Sequence, residues 1–308
     1  MTGNAFASGP IFVPLDGSEL AEQAVPYADA LAAALKRAIV LMIATRTPEV
    51  WNNVPAAGDY DGKAHAHCVE NLEKVRRRLQ TSDVRIDVRD GFARDEILHA
   101  ADDSHASLII ATSHGRSGIT RWMYGSIASH LIHQSDVPLL IVGREALTRS
   151  SHLPIQKIMV PLDGSALAEV AIAHALELAK AFGARVLLVR VLPCAVQAYP
   201  FVTPAMYVPV LDSELESIAN TYLTRVHSKL ESSVLIDATL LRGPIAGSLT
   251  QFVEDQAVDL TVMTTHARAG LQRAVLGSTA DRMLQGHALV LLIRPPEQPG
   301  STEDGGTT

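Results

Sequence analysis

The sequence predicts two tandem α/β domains, each built on a parallel sheet covered by helices on both faces. Three observations carry this prediction. First, the chain repeats: "IFVPLDGSELAEQAVPYADALAAAL" from Ile11 returns as "IMVPLDGSALAEVAIAHALELAKAF" from Ile158, at an offset of 147 residues. Second, short apolar runs alternate with helical stretches inside each copy, as βα units require. Third, the chain of 308 residues is long enough for about two domains of ordinary size, each with its own core.

Taken in order, the first copy opens with the apolar run Ile11–Leu15, followed by an Ala/Leu-rich helical stretch from Ser18 to about Leu35. "AIVLMIA" at 38–44 is a continuous apolar strand, and "GKAHAHCVENLEKVRRRLQ" a polar helix. "VRIDVRD" at 84–90 alternates apolar and polar residues, and "RDEILHAADD" is a short helix. "SLIIAT" at 107–112 is another apolar strand, "SIASHLIHQS" the last helix and "PLLIV" at 138–142 the last strand. Runs that are apolar without alternation imply strands buried on both faces, hence a parallel sheet with right-handed crossovers.

The offset grows to 152 where Gly91 aligns with Gly243, so the second copy gains five residues, expected within a long loop at 193–214 rich in Pro and aromatics. The copies of about 145 residues are domains and not short solenoid units. The expected layout is a flexible N-terminus at 1–9, a first domain at 10–145, a linker at 146–156, a second domain at 157–294 and a disordered tail at 295–308, which is rich in Pro, Gly and acid.

Charge and composition narrow the function. The net charge of −7 gives no support to a nucleic-acid reading, which would need a dominant basic face. No apolar run reaches the roughly 18–20 residues of a membrane helix, and the opening "MTGNAFASGP" has no basic and apolar signal pattern. The two cysteines, Cys68 and Cys194, lie far apart, which fits a reducing compartment and a cytoplasmic location.

In open sheets of this kind ligands lie beyond the strand C-termini, where the strand order reverses. Two loops fall there in each copy. One is "PLDGS", ending strand one. The other is "TSHGRSGITRWMYGS" at 112–126, matched by "TTHARAGLQRAVLGS" at 264–278, after strand four. Gly115 lets the backbone approach a ligand or take a positive φ. Gly125-Ser126 precede the last helix; Ser126 is the expected N-cap, and its hydroxyl with the free N–H groups there suits an anion. Arg116 and Arg121 add positive charge for a phosphate. Asp16 supplies a carboxylate for sugar hydroxyls or a divalent cation. Each part has a plainer reading: a turn with a helix cap for Asp-Gly-Ser, a cap for Gly-Ser, a loop-crossing hydrogen bond for His114, solvated surface for the arginines. Their joint occurrence in both loops, twice, favours a nucleotide site with sugar near Asp16 and phosphates near Gly115 to Ser126.

On these residues the chain resembles the universal stress protein family in a two-repeat form. That family carries Gly-x2-Gly-x9-Gly-Ser/Thr after strand four and an Asp in a Pro-x-Asp-x-Ser turn after strand one. The first half here has Thr112, Gly115 and Gly125-Ser126, with Pro14 and Asp16; the second has Thr264, Ala267 and Gly277-Ser278, with Asp163. The resemblance implies flavodoxin-like domains with strand order 3-2-1-4-5, and ATP as ligand, with Mg2+ carried on the nucleotide near Asp16. It implies adenine against the ends of strand two at Ala44 and Val191. His114, Arg116 and Gly118 complete the first site, and His266 and Arg268 the second. It further implies a pseudo-dimer of the two halves through "PLLIV" and "LVLLI", a homodimer as a further assembly, and a role in stress response. Thr112 and Thr264 depart from the family's first glycine and Ala267 from its second. An alanine held at positive φ is strained by about 1 kcal/mol or more. ATP is therefore expected mainly in the first domain, with a weak or degenerate second site.

Other candidates carry less. His65 and His67 in "HAHC" point apart on a helix and do not form a shared metal site. Trp51, Tyr60 and Trp122 are candidate closers of a pocket or packing residues, and "EKVRRRLQ" is a solvated basic helix face. No G-x-S-x-G elbow or Walker A loop is present, and no nucleophile with a positioned base, so an enzyme is not expected; slow ATP hydrolysis is the most that the residues allow. A nucleotide-independent tandem interaction module is the alternative from another class.

Overall fold

The computed structural model describes residues 5–54, 60–113, 124–143, 153–193, 209–230, 233–265, 276–286 and 289–295. The first half runs β1 (Ile11–Leu15), α1 (Glu19–Glu22), α2 (Val25–Leu35), β2 (Ile39–Ala44), α3 (Pro48–Asn53), α4 (Tyr60–Arg76), β3 (Val84–Arg89), α5 (Ala93–Asp103), β4 (Leu108–Thr112), α6 (Ser126–Gln134) and β5 (Leu139–Val142). The second half runs β6 (Lys157–Leu162), α7 (Ala166–Phe182), β7 (Arg185–Leu192), α8 (Pro209–Ser228), β8 (Ile236–Arg242), α9 (Ile245–Gln256), β9 (Leu260–Thr264), α10 (Ser278–Gly286) and β10 (Leu289–Ile293).

All ten strands join one sheet in the order β3-β2-β1-β4-β5-β10-β9-β6-β7-β8. Each half is parallel with internal order 3-2-1-4-5, and the halves meet where β5 and β10 pair antiparallel, Ile141 opposite Val290 and Leu140 opposite Leu291. The last strands of the two halves therefore lie side by side. The outer strands β3 and β8 are the least buried and carry Arg85, Asp87, Arg89, Asp237 and Arg242, charges that discourage pairing with further strands.

Because side chains alternate across a strand, the sheet makes two cores. Ile11, Val13 and Leu15 of β1 belong to one core, together with Leu31 of α2, Leu72 of α4, Leu178 of α7 and Leu223 of α8. Phe12 faces the opposite layer, with Ile97 of α5, Leu131 of α6, Val253 of α9 and Met283 of α10. Both cores run unbroken across the seam: Leu140 and Leu291 join the first, Ile141 and Val290 the second. Each such side chain contributes about 1.5–3 kcal/mol by leaving water, so the seam is held by packing as well as by its ladder.

Three expectations need correction. The helical stretch after β1 is two helices, because Pro26 lacks the N–H that would continue α1 and instead sits in the first turn of α2. The stretch expected to be a loop at 193–214 is helical from Pro209, a residue suited to the first position of a helix; 194–208 lie outside the described residues. The N-terminal stretch read as flexible is packed from Ala5 onward. Phe6 is 1% exposed in the first core, and the Glu177 carboxylate accepts from the Ala5 and Phe6 amides at 2.6 and 3.2 Å. One apolar side chain and two paired amides are enough to hold an otherwise polar strap.

Among the described residues no helix is long and apolar enough to cross a membrane.

Candidate functional site

β1 lies between β2 and β4, so the strand order of the first half reverses beyond its end, where ligands of such sheets lie. Leu15 pairs with Ile43, and Phe12 with Ile109, so Asp16, Ala44 and Thr112 reach the same edge of the sheet on adjacent strands. The two loops singled out in the sequence thus leave neighbouring strands at one edge of the sheet. Asp16 Oδ1 accepts from the Ser18 amide at 2.9 Å and from its hydroxyl at 2.6 Å. Ser18 Oγ in turn accepts from the Ala21 amide at 3.2 Å and caps α1. Gly17 takes φ 84° to allow this turn. The plainer reading of Asp-Gly-Ser, a turn and cap, is therefore real, and it uses Asp16 Oδ1. Pro14 is buried inside β1 opposite Met42, two residues behind the edge.

At the other wall, Ser113 is buried; its amide donates to the Val142 carbonyl at 2.9 Å, and its carbonyl accepts from the Gly125 amide at 3.0 Å. That bond pins the start of α6 to the end of β4. The N-cap of α6 is Gly125, not Ser126 as expected: Gly125 is extended, at φ −55° and ψ 153°, and its carbonyl accepts from Ser129 at 2.9 Å. Ser126 is already helical and exposed. No side chain caps this end, and the amides of Ser126, Ile127 and Ala128, which a helix cannot satisfy internally, have no partner among the described residues. His114, Gly115, Arg116 and Gly118 lie outside the described residues, as do Arg121 and Trp122.

The second half repeats the turn. Asp163 Oδ1 accepts from the Ser165 amide at 2.9 Å and hydroxyl at 2.6 Å, Ser165 caps α7, and Gly164 takes φ 98°. Asp163, Val191 and Thr264 line one cavity of about 330 Å³, together with Arg190, Ile245 and Thr279. Its floor is aliphatic, from Leu249, Met263 and Val189. Gly277 accepts from the Asp281 amide at 2.9 Å and so starts α10, as Gly125 starts α6. Thr265 donates to the Ile293 carbonyl at 2.9 Å, matching Ser113 in the first half. Ser278 is the exposed first residue of α10. His266, Ala267 and Arg268 lie outside the described residues.

Arg190 was not singled out in the sequence, although a charge inside "VLLVRVL" was the available signal; the aligned residue of the first half is Ile43. Its guanidinium lies over the Tyr222 ring at 4.7 Å and packs so closely on Gly164 that a Cβ there would meet it at 3.1 Å. It sets a fixed positive charge beside the Asp163 turn. The "HAHC" helix does not bring its histidines together: His65 faces Asp90 at 3.6 Å and His67 bonds Asn71 at 3.1 Å. Cys68 is buried, and burial, with the Asp90 charge, pushes its thiol up to about 11, so it stays protonated. Among the described residues no cluster of three or more His, Cys, Asp or Glu is disposed to hold a metal ion.

Fold and edge together define a tandem, doubly wound α/β protein of flavodoxin-like type. The chain matches the universal stress protein family twice, over residues 8–143 and 154–293, and it belongs to that family. It is similar to a universal stress protein of Methanocaldococcus jannaschii, 34% identical over 157 residues that cover 50% of this chain and 90% of that one. It is also similar to one of Mycobacterium tuberculosis, 22% identical over 254 residues, 80% of each chain. Among solved structures, a universal stress protein from Archaeoglobus fulgidus superposes with a TM-score of 0.68 at 16% identity, covering 94% of this chain and 99% of that one.

Proposed function

We propose that the chain binds an adenine nucleotide, ATP with its Mg2+, mainly in the first half, and that occupancy sets its conformation or choice of partner in a cytoplasmic stress response. The observation that carries this reading is the Gly125–Ser113 bond at 3.0 Å. It holds the first amides of α6, which have no partner among the described residues, beside the strand that neighbours Asp16, an arrangement suited to a phosphate tail. The second Asp16 oxygen, Oδ2, has no partner among the described residues and suits a sugar hydroxyl or a nucleotide-borne Mg2+, while Ala44 ends β2 where a flat base can lie against backbone. In the second half Gly277 and Thr265 make no bond corresponding to Gly125–Ser113 among the described residues, in keeping with a weaker site there.

Isothermal titration of the full chain with MgATP tests the reading. Heat is expected for wild type, with strong loss in Gly125→Trp, whose indole occupies the phosphate position, and a smaller loss in Asp16→Ala. Absence of heat, or binding indifferent to Gly125→Trp, removes it. Phosphate release abolished by Asp16→Ala would add slow hydrolysis to the function.

A further inference from the structure

The start of α6 is tied to the other half of the molecule. Tyr124, the residue before the Gly125 cap, donates its hydroxyl to Asp281, whose carbonyl oxygen and Oδ1 both lie at 2.9 Å. Asp281 sits in the first turn of α10, the turn whose Thr279 lines the cavity of the second half. Its amide closes that turn on the Gly277 carbonyl at 2.9 Å, and Gln285 donates to its Oδ2 at 2.8 Å, so it is fixed within its helix. The far end of α6 is held from the same side: Arg294, after β10, donates to the His133 carbonyl at 2.8 Å and to Asp136 at 2.5 Å. Burial and the hydrogen bond to Asp281 keep the Tyr124 hydroxyl far above the ordinary tyrosine range, so it remains a donor at all physiological pH.

The bridge has no twin. At the motif offset of 152 residues, Tyr124 corresponds to Leu276 and Asp281 to Ser129. Leucine has no hydroxyl, so the reverse bond cannot form. A tether made once between two repeated halves joins unlike places: it connects the first turn of α10, at the cavity, to the cap of α6, and any coupling through it acts equally in both senses. A ligand seated against Thr279 cannot shift that turn without pulling Tyr124, and Tyr124 is adjacent in the chain to the residue that aims the α6 amides.

We infer that Tyr124 is a positioning residue for the first crevice and that its bond to Asp281 couples the two halves, so that filling the second cavity changes nucleotide affinity in the first. The coupling rests on the nucleotide reading above, and its reach is that of one hydrogen bond, about threefold to tenfold in affinity.

The test is a double-variant cycle on the full chain with MgATP as probe: wild type, Ile245→Trp, whose indole fills the second cavity, Tyr124→Phe, and both together. Ile245→Trp is expected to shift the dissociation constant of the first half about threefold to tenfold when Tyr124 is present, and to leave it unshifted in the Tyr124→Phe background. The same shift in both backgrounds, or none in either, overturns the coupling while leaving nucleotide binding intact. No heat from wild type removes the nucleotide reading, and the coupling with it. Retained MgATP heat in Tyr124→Phe, with a thermal loss no greater than that of one hydrogen bond, shows that a lost cycle reports communication and not a damaged fold.

Discussion

The ring of Phe6 stands edge-on to the imidazole of His174, centroids 4.9 Å apart and planes at 89°, so that the start of the chain is locked onto a helix of the second half. The Glu177 carboxylate, one turn further along α7, accepts from the Ala5 and Phe6 amides at 2.6 and 3.2 Å. Removing the ring empties a buried site; Phe→Ala in a core typically costs about 3–5 kcal/mol, and a chain end can fray to recover part of that. Phe6→Ala is therefore expected to cost about 3 kcal/mol, read as a lower urea midpoint with increased hydrogen exchange along α7. An unchanged midpoint would show that the strap contributes nothing to stability.

The same contact sets a pH dependence. Burial holds the His174 imidazole below its ordinary value, with the Val170 carbonyl and Glu177 pulling the other way without prevailing. The unfolded chain therefore binds the proton more readily than the folded one. Its contribution to stability is complete above the ordinary histidine range of about 6.5 and declines as pH falls below it. Unfolding measured from pH 7.5 to 5 is expected to show this decline, and His174→Phe to flatten it. Equal slopes for the two proteins would assign the acid sensitivity elsewhere.

The two Asp-Gly-Ser turns answer differently to alanine. Gly17 and Gly164 both have positive φ, 84° and 98°, so each substitution is strained by about 1–2 kcal/mol. At Gly164 the new methyl also meets the Arg190 guanidinium at 3.1 Å, which must give way where it is held against Tyr222. Gly164→Ala is thus expected to destabilise more than Gly17→Ala, and Gly164→Ala in an Arg190→Ala background to lose the excess. Thermal unfolding of the three variants decides it; an identical loss at both glycines removes the role given to Arg190.

At the seam, Ile141 and Val290 face each other in the second core. Ile141→Asp places a carboxylate where neither water nor a cation reaches it, at a cost of several kcal/mol. The halves are expected to separate while each keeps its own parallel sheet, and the freed β5 and β10 edges to pair with other copies. Light scattering should then report dimers or larger species; a monomer with an intact seam would contradict this account.

Much of the architecture was legible because its signals are local. β1, β2 and β4 are short, apolar and bounded by helices, and the repeat doubled every signal, so the order of elements followed from sequence. The split at Pro26 and the helix from Pro209 were missed because one proline can end, start or interrupt a helix, and only its neighbours in space decide which. Phe6 was missed because a single apolar residue among "GNAFASG" has no periodicity; its burial depends on a helix more than 160 residues away. At the site, Asp16 and Gly125-Ser126 were readable as a motif, while Tyr124, inside the same quoted stretch, was not, since its partner Asp281 comes from the other repeat. Such long-range pairs leave no mark in residue spacing.

The antiparallel junction of β5 with β10 has a consequence for how the two copies could diverge. Joined by covalent linkage, they meet at an effective concentration that does not fall when the cell makes less protein. Neither copy must preserve a surface able to recognise itself. The two copies are then free to differ, with Arg190 at the place of Ile43 and Leu276 at that of Tyr124, without loss of the junction that holds them together.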